Sequence, residues 1–202
     1  MGKIGIMGGT FNPIHNGHLM LAQAAFQQFQ LDKILVIPNR LPAYKDTDEL
    51  LDSNHRSQMV RLAISQYPYM EFSDMELRRS GATYTVDTLN ELHEKYPEQE
   101  FYFILGGDSL IHFTEWRRYD EILQLAVILC AKREDADLPE LCKARNKLTE
   151  QVTEARIEWL DTPMMNISST EIRESVHSDD AIAKWLPDSV FHYIQEHQLY
   201  IT

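Results

Sequence analysis

Two histidines three residues apart, in Gly8-Gly9-Thr10-Phe11-Asn12-Pro13-Ile14-His15-Asn16-Gly17-His18, are the side chains of this sequence best suited to chemistry. The apolar run Lys3 to Met7 predicts a strand that stops at the paired glycines. After Gly17, Leu19, Ala22, Phe26 and Phe29 recur at helical spacing. Gly8 and Gly9 let the backbone approach a ligand closely, and the first N–H groups of the helix opened by Gly17 have no intrahelical partner, so phosphate is welcome there. At this spacing both imidazoles project from the same side of the helix start. An imidazolium or an imidazole N–H so placed stabilises charge developing on phosphate oxygens. The same pair could be half of a zinc site, for which no third ligand stands at a suitable spacing, or a pair of surface capping residues. A dinucleotide fingerprint is excluded, because Gly5-x-x-Gly8-Gly9 is not G-x-G-x-x-G, and so is a Walker A loop, because no GK[ST] occurs.

The elements that must position these residues alternate. Strands are expected at Lys33 to Pro38, Met70 to Ser73, Glu100 to Leu105, Leu125 to Ala131 and Ile157 to Leu160. Helices are expected after Ser53, with Met59, Leu62 and Ala63 inward, from Thr85 to Lys95, from Pro139 to Leu148, and from Pro187 to His197. Parallel neighbours need crossover connections, so the alternation predicts an α/β protein: one domain over 1–202 with a doubly wound parallel sheet covered on both faces. Leu41 to Asp52 and Asp135 to Gln151 are the weakest stretches, candidate mobile loops or insertions. In such a sheet the ligand crevice lies beyond the carboxyl ends of the strands, which makes the residues just after each apolar run the ones to inspect.

Composition bounds the partners. The 202 residues carry 19 Lys+Arg against 31 Asp+Glu, a formal net charge of −12, so nonspecific binding to nucleic acid or an anionic membrane would oppose the overall field. An anionic ligand must then meet a local cluster of positive groups. Cys130 and Cys142 form neither a disulfide framework nor a CxxC pair, which fits a reducing cytoplasm, and Cys130 sits in an apolar run as a small hydrophobe does. The amino terminus has no signal-peptide pattern, and no apolar run approaches the roughly 20 residues of a membrane helix.

Other strand ends carry further candidates, each with a plainer alternative. Ser168 and Glu171 form a capping box that starts a helix, and Arg173 one turn in could return toward an anion. Asp108, after Leu105-Gly106-Gly107, could accept two ribose hydroxyls, with Gly106 letting the sugar lie against the backbone, or could cap a helix beginning at Ser109. Trp116 is flanked by polar residues, so its indole face could receive a flat ring or pack in the core. Free amides at Thr85 and Val86 make a carboxylate trap, or Thr85 is only a helix cap. Lys45 and Arg133 add positive charge near the crevice, or are simply solvated.

GGTFNPIHNGH resembles the amino-terminal signature of the nucleotidylyltransferase superfamily with its H-x-G-H motif. The chain around it is similar, over most of its length, to the bacterial nicotinate-mononucleotide adenylyltransferase family. That resemblance implies a Rossmann-like fold and a reaction without a covalent enzyme intermediate: the phosphate of nicotinate mononucleotide attacks the α-phosphorus of ATP, and pyrophosphate leaves with Mg²⁺ carried on the ATP phosphates. It implies catalytic roles for His15 and His18, and ATP contacts from Gly8, Gly9, Thr10, Phe11, Gly17, Gly106, Asp108, Arg133, Ser168, Thr170 and Arg173. The segment 168–202 would be a helical piece completing the ATP site. Trp116 would stack on the nicotinate ring, Tyr84-Thr85 would bind its carboxylate, and Lys45 would contact phosphate. Gly107, Ala43, Tyr44, Glu134 and Asp135 depart from the family's patterns, which puts the shapes of those loops in question. The same motif serves nicotinamide mononucleotide and phosphopantetheine as acceptors, and similar histidines occur in aminoacyl-tRNA synthetases. A tRNA-binding module does not fit this length and charge, whereas a noncatalytic ATP sensor stays open. Apolar residues of the carboxyl-terminal third are a candidate self-association surface.

Overall fold

Residues along the central strands alternate between two apolar environments, and that alternation dictates the architecture. In a computed structural model, which describes residues 2–42, 49–131, 138–163, 167–177 and 180–201, the elements run in strict alternation at first. They are β1 (Gly2–Gly9), α1 (Asn16–Phe29), β2 (Lys33–Pro38), α2 (Ser53–Ile64), β3 (Met70–Phe72), α3 (Thr85–Lys95) and β4 (Gln99–Gly106). Then follow α4 (Gly107–Ile111), α5 (Tyr119–Leu125), β5 (Val127–Ala131), α6 (Leu138–Gln151), β6 (Ile157–Leu160), α7 (Ser169–Ser175) and α8 (Asp188–Glu196), with 3₁₀ turns at Phe113–Glu115 and Asp180–Trp185.

Among the described residues the strands form one parallel six-stranded sheet in the order β3-β2-β1-β4-β5-β6. Ile34 and Val36 of β2, Tyr102 and Ile104 of β4 and Leu129 of β5 pack with α1, α2, α7 and α8 on one face. Their sequence neighbours Leu35, Ile37, Phe101, Phe103 and Ile128 pack with α3 to α6 on the other. A strand apolar on both sides is stable only when both sides are covered, which is what right-handed crossover helices accomplish. The order reverses between β1 and β4, so their carboxyl ends open the crevice expected of a doubly wound sheet.

Several expectations need correction. β1 runs on through Gly8 and Gly9, because its ladder with β2 continues as Gly8 opposite Ile37 and Gly9 opposite Pro38. The helix expected at Pro139 to Leu148 forms and runs over Leu138–Gln151, so this part of the stretch also read as a candidate loop is regular, with Leu141 and Leu148 buried in the sheet's second face, while residues 135–137 lie outside the described ones. Leu125 closes α5 and is not part of β5. Of the carboxyl-terminal apolar residues, Leu186, Val190, Ile194 and Leu199 are in the core, while Ile201 is exposed. Among the described residues no helix is long and apolar enough to cross a membrane.

Candidate active site

The loop after β1 turns sharply. Phe11 sits at φ 49 with its ring buried, and His15 is the extended residue preceding α1, which therefore starts at Asn16, one residue before Gly17. The His15 and His18 rings lie 3.8 Å apart, tilted by 37°, and the edge of Phe11 meets His18 at 5.1 Å. The backbone N–H of His15 donates to His18 Nδ1 at 3.3 Å, which leaves the ring proton of His18 on Nε2. Gly17 is required by this packing: a Cβ there would stand 2.9 Å from His15 Nδ1 and 3.2 Å from Ile167 Cγ2. His15 is 7% exposed, and its Nδ1 has no hydrogen-bond partner among the described residues. Burial lowers its pKa from 6.5 to about 4, so of the two protonation states the sequence allowed, His15 is the neutral imidazole at neutral pH.

Polar contacts hold this loop from three directions. Asn12 donates through Nδ2 to the Glu49 carbonyl at 2.9 Å, and its Oδ1 accepts from Leu51 N–H at 3.3 Å and from the Tyr200 hydroxyl at 3.1 Å. Arg173 donates to the Asn12 carbonyl at 3.1 Å and to the Glu49 carboxylate at 2.9 Å, and Ser169 Oγ donates to the Pro13 carbonyl at 3.0 Å. Arg56 has no exposed surface. Its guanidinium donates to the carbonyls of Thr10 at 2.7 Å, Asn39 at 2.9 Å, Leu51 at 3.0 Å and Arg40 at 3.1 Å. No acceptor of that set is a carboxylate, and burial lowers the pKa of the group.

At the end of β4, Gly106 caps α4, so Asp108 lies within the first turn of a helix that begins before Ser109. A Cβ on Gly106 would meet no atom within 4 Å, leaving space directly over the backbone beside Asp108. The Trp116 indole stacks on Phe113, centroids 5.0 Å apart, and meets Phe103 edge-on at 6.0 Å. One part of the ring is thus anchored in the core, while the residue lines the crevice. Tyr84 caps α3 and Thr85 is its first residue, with the Arg117 guanidinium 4.6 Å over the Tyr84 ring. Behind them Glu76 is buried; its Oε1 accepts from Thr88 Oγ1 at 2.6 Å, and Thr88 Oγ1 accepts from Arg79 at 2.8 Å. Burial raises the Glu76 pKa, opposed by the threonine hydrogen bonds.

The capping box forms as expected: Ser168 N–H donates to Glu171 Oε2 at 2.8 Å, and Glu171 N–H donates to Ser168 Oγ at 3.2 Å. One cleft of about 1020 Å³ joins all these strand ends. Gly8, Gly9, Thr10, Phe11, His15, Gly17 and His18 line it, as do Gly106, Asp108, Thr85, Trp116, Ser168, Thr170 and Arg173, so the expected residues converge. Tyr84 stands immediately beside it, capping the helix whose Thr85 lines the cleft. Lys45 and Arg133 lie outside the described residues. Among the described residues no three His, Cys, Asp or Glu side chains cluster as a metal site.

Sequence reasoning missed Asn12, Arg56, Glu49, Ser169, Glu76 and Arg117. A signal existed for Arg56: it occupies the apolar stripe of α2 with Met59, Val60 and Ala63, and an arginine on such a stripe has to find buried acceptors.

A parallel sheet in this order, with paired imidazoles at the first strand-to-helix turn, defines a nucleotidyltransferase-type site. The chain belongs to the cytidylyltransferase-like family, whose model matches residues 6–175. Over 100% of both chains it is 46% identical to a Lachnoclostridium phytofermentans protein named "probable nicotinate-nucleotide adenylyltransferase". It is 38% identical, over 99% of this chain and 97% of the relative, to an Oceanobacillus iheyensis protein of the same name. Among solved structures, Plasmodium falciparum nicotinic acid mononucleotide adenylyltransferase complexed with NaAD superposes with a TM-score of 0.82 at 23% identity. The same enzyme complexed with APC gives 0.80 at 22%; in both cases 99% of this chain and 98% of the other are covered. At that identity the likeness is one of fold.

Proposed function

We propose that this protein transfers the AMP unit of ATP to nicotinate mononucleotide, giving nicotinate adenine dinucleotide and pyrophosphate, the cytoplasmic adenylation step of pyridine-nucleotide synthesis. The observation that carries the reading is the His15–His18 pair, rings 3.8 Å apart, at a glycine loop that opens into a cleft large enough for two nucleotides. The names of the full-length relatives support the same activity.

An oxygen of the acceptor's phosphate forms the new bond to the α-phosphorus as the α–β bridging bond breaks, and pyrophosphate departs. That phosphate is already anionic at neutral pH, so no general base is needed. In this reading the His18 Nε2–H and the free amides of α1 offer hydrogen bonds to oxygens on which charge develops, while neutral His15 packs against His18 and holds it. The ATP lies over Gly8, Gly9, Thr10 and Phe11, its ribose on Asp108 above Gly106. Its outer phosphates rest on Ser168, Thr170 and Arg173, so that residues 168–202 complete the site. Trp116 carries the pyridine ring and the Tyr84-Thr85 turn its carboxylate. Holding both substrates in one cleft makes the attack effectively unimolecular. The metal would enter as MgATP, held chiefly by the substrate's phosphates as Mg²⁺ commonly is, with the carboxylate of Asp108 in the described lining available to its hydration shell.

The test is pyrophosphate release from ATP with a panel of nicotinate mononucleotide, nicotinamide mononucleotide and phosphopantetheine. Turnover with the first, and much less with the others, is expected. Release with phosphopantetheine alone reassigns the acceptor, and ATP binding without release under every condition makes the protein a sensor.

A further inference from the structure

We propose that the Arg117 side chain sets the charge selectivity of the acceptor end of the cleft, favouring a pyridine nucleotide with an anionic ring substituent over one with a neutral amide. This rests on the reading that the Trp116 end receives the pyridine ring. Among the described residues lining the cleft, Glu49, Glu76, Asp108 and Glu115 carry carboxyl groups, and Arg117 and Arg173 are the two permanent cations. Arg173 stands on α7, at the end of the cleft read as holding the ATP phosphates, where it also donates to the Asn12 carbonyl and the Glu49 carboxylate. At the acceptor end a carboxylate would face Glu76, buried behind α3, and Glu115, which lies 2.9 Å from His112 Nδ1. Free amides at the start of α3 attract an anion but carry only partial charge. Glu76 has the Arg79 guanidinium near it and Glu115 the His112 ring, so among the described cleft residues Arg117 is the arginine whose charge falls beside Trp116.

Its placement is not that of a freely waving surface arginine. The guanidinium lies 4.6 Å over the ring of Tyr84, the residue that caps α3, and the backbone of Arg117 follows directly on Trp116. The guanidinium thus sets a full positive charge beside Tyr84 and Trp116, where an anionic ring substituent gains from it. A neutral carboxamide gains little from that charge, so the cation discriminates by attracting one acceptor and not the other.

Initial rates of the full chain with saturating MgATP, with nicotinate or nicotinamide mononucleotide as acceptor, test the assignment. In Arg117→Gln, KM for nicotinate mononucleotide should rise about fivefold, with KM for ATP and kcat/KM for nicotinamide mononucleotide within about twofold of wild type. Arg117→Lys should recover part of the preference by restoring charge without the planar stack. Arg118→Gln, which removes the neighbouring arginine paired with Glu121, should change neither constant. Equal losses for both acceptors would make Arg117 a structural residue and overturn the proposal, as would an unchanged preference in Arg117→Gln. A wild-type protein that uses neither acceptor overturns the functional reading and this proposal with it. A wild type that prefers nicotinate while Arg117→Gln prefers it equally overturns this proposal alone.

Discussion

His15 is a histidine whose usefulness depends on remaining uncharged. In the unfolded chain its imidazole takes up a proton near pH 6.5, in the folded protein near 4. Between those values the unfolded state binds more protons, so the stability is complete above 6.5 and is lost as the pH falls toward 4. Going from about pH 7 to about pH 5 should cost this protein about 2 kcal/mol through His15 alone, and His15→Asn should flatten that part of the profile in urea titrations. An unaltered slope would show that another group is responsible. His18→Ala should leave the fold and ATP binding intact but slow turnover by at least about a hundredfold, the usual cost of one donor to developing charge. Gly17→Ala is a sharper probe of the pair. Alanine is the better helix former, but in this first turn its methyl would stand 2.9 Å from His15 Nδ1 and 3.2 Å from Ile167 Cγ2, so stability should fall by about 1 to 3 kcal/mol. Because the methyl presses on the His15 ring, kcat should drop in the folded variant while ATP still binds.

The elements around the cleft are joined by polar groups that carry no catalytic signature. Arg56→Met would leave the carbonyls of Thr10, Asn39, Arg40 and Leu51 without this donor in a buried site. The expected loss is about 3 kcal/mol or more in denaturant midpoints; a loss under about 1 kcal/mol would mean water replaces the guanidinium freely. This is also where sequence legibility ends. The strands β2 and β6 and the helix α3 were readable to the residue, because each is a run of one periodicity bounded by turn or cap residues. Helices α4 and α5 span 5 and 7 residues, too short for a periodic pattern to stand out. In the first loop the glycines and histidines announce themselves by type. The contacts of Asn12 and Arg56 depend on partners dozens of positions away, which no local spacing encodes.

Over the whole molecule, the sheet supplies rigidity and the cleft supplies the binding surface. A formal net charge of −12, with four carboxyl groups and two arginines among the described cleft residues, makes the free site electrostatically unsettled for an anionic visitor. Substrate binding should therefore register as stabilisation of the entire fold: MgATP at about 100 times its Kd adds about 2.7 kcal/mol. For a chain of this size that is a rise of roughly 5 to 10 °C in Tm. Arg173→Ala should lose most of that shift, read by thermal melts with and without nucleotide, and a full shift in the variant would remove Arg173 from the phosphate contacts. At the sheet margins, β3 and β6 have 3 and 4 residues, which leaves little exposed edge for another chain to pair with.

The hydroxyl of Tyr200 reaches Asn12 at the other end of the sequence. The turn that carries both imidazoles is therefore fastened by a partner 188 positions away along the chain. Removing that one hydroxyl in Tyr200→Phe should quicken amide hydrogen exchange through the Thr10 to Ile14 turn while the sheet exchanges as before, so the readiness of the site is tied to a residue that never meets substrate.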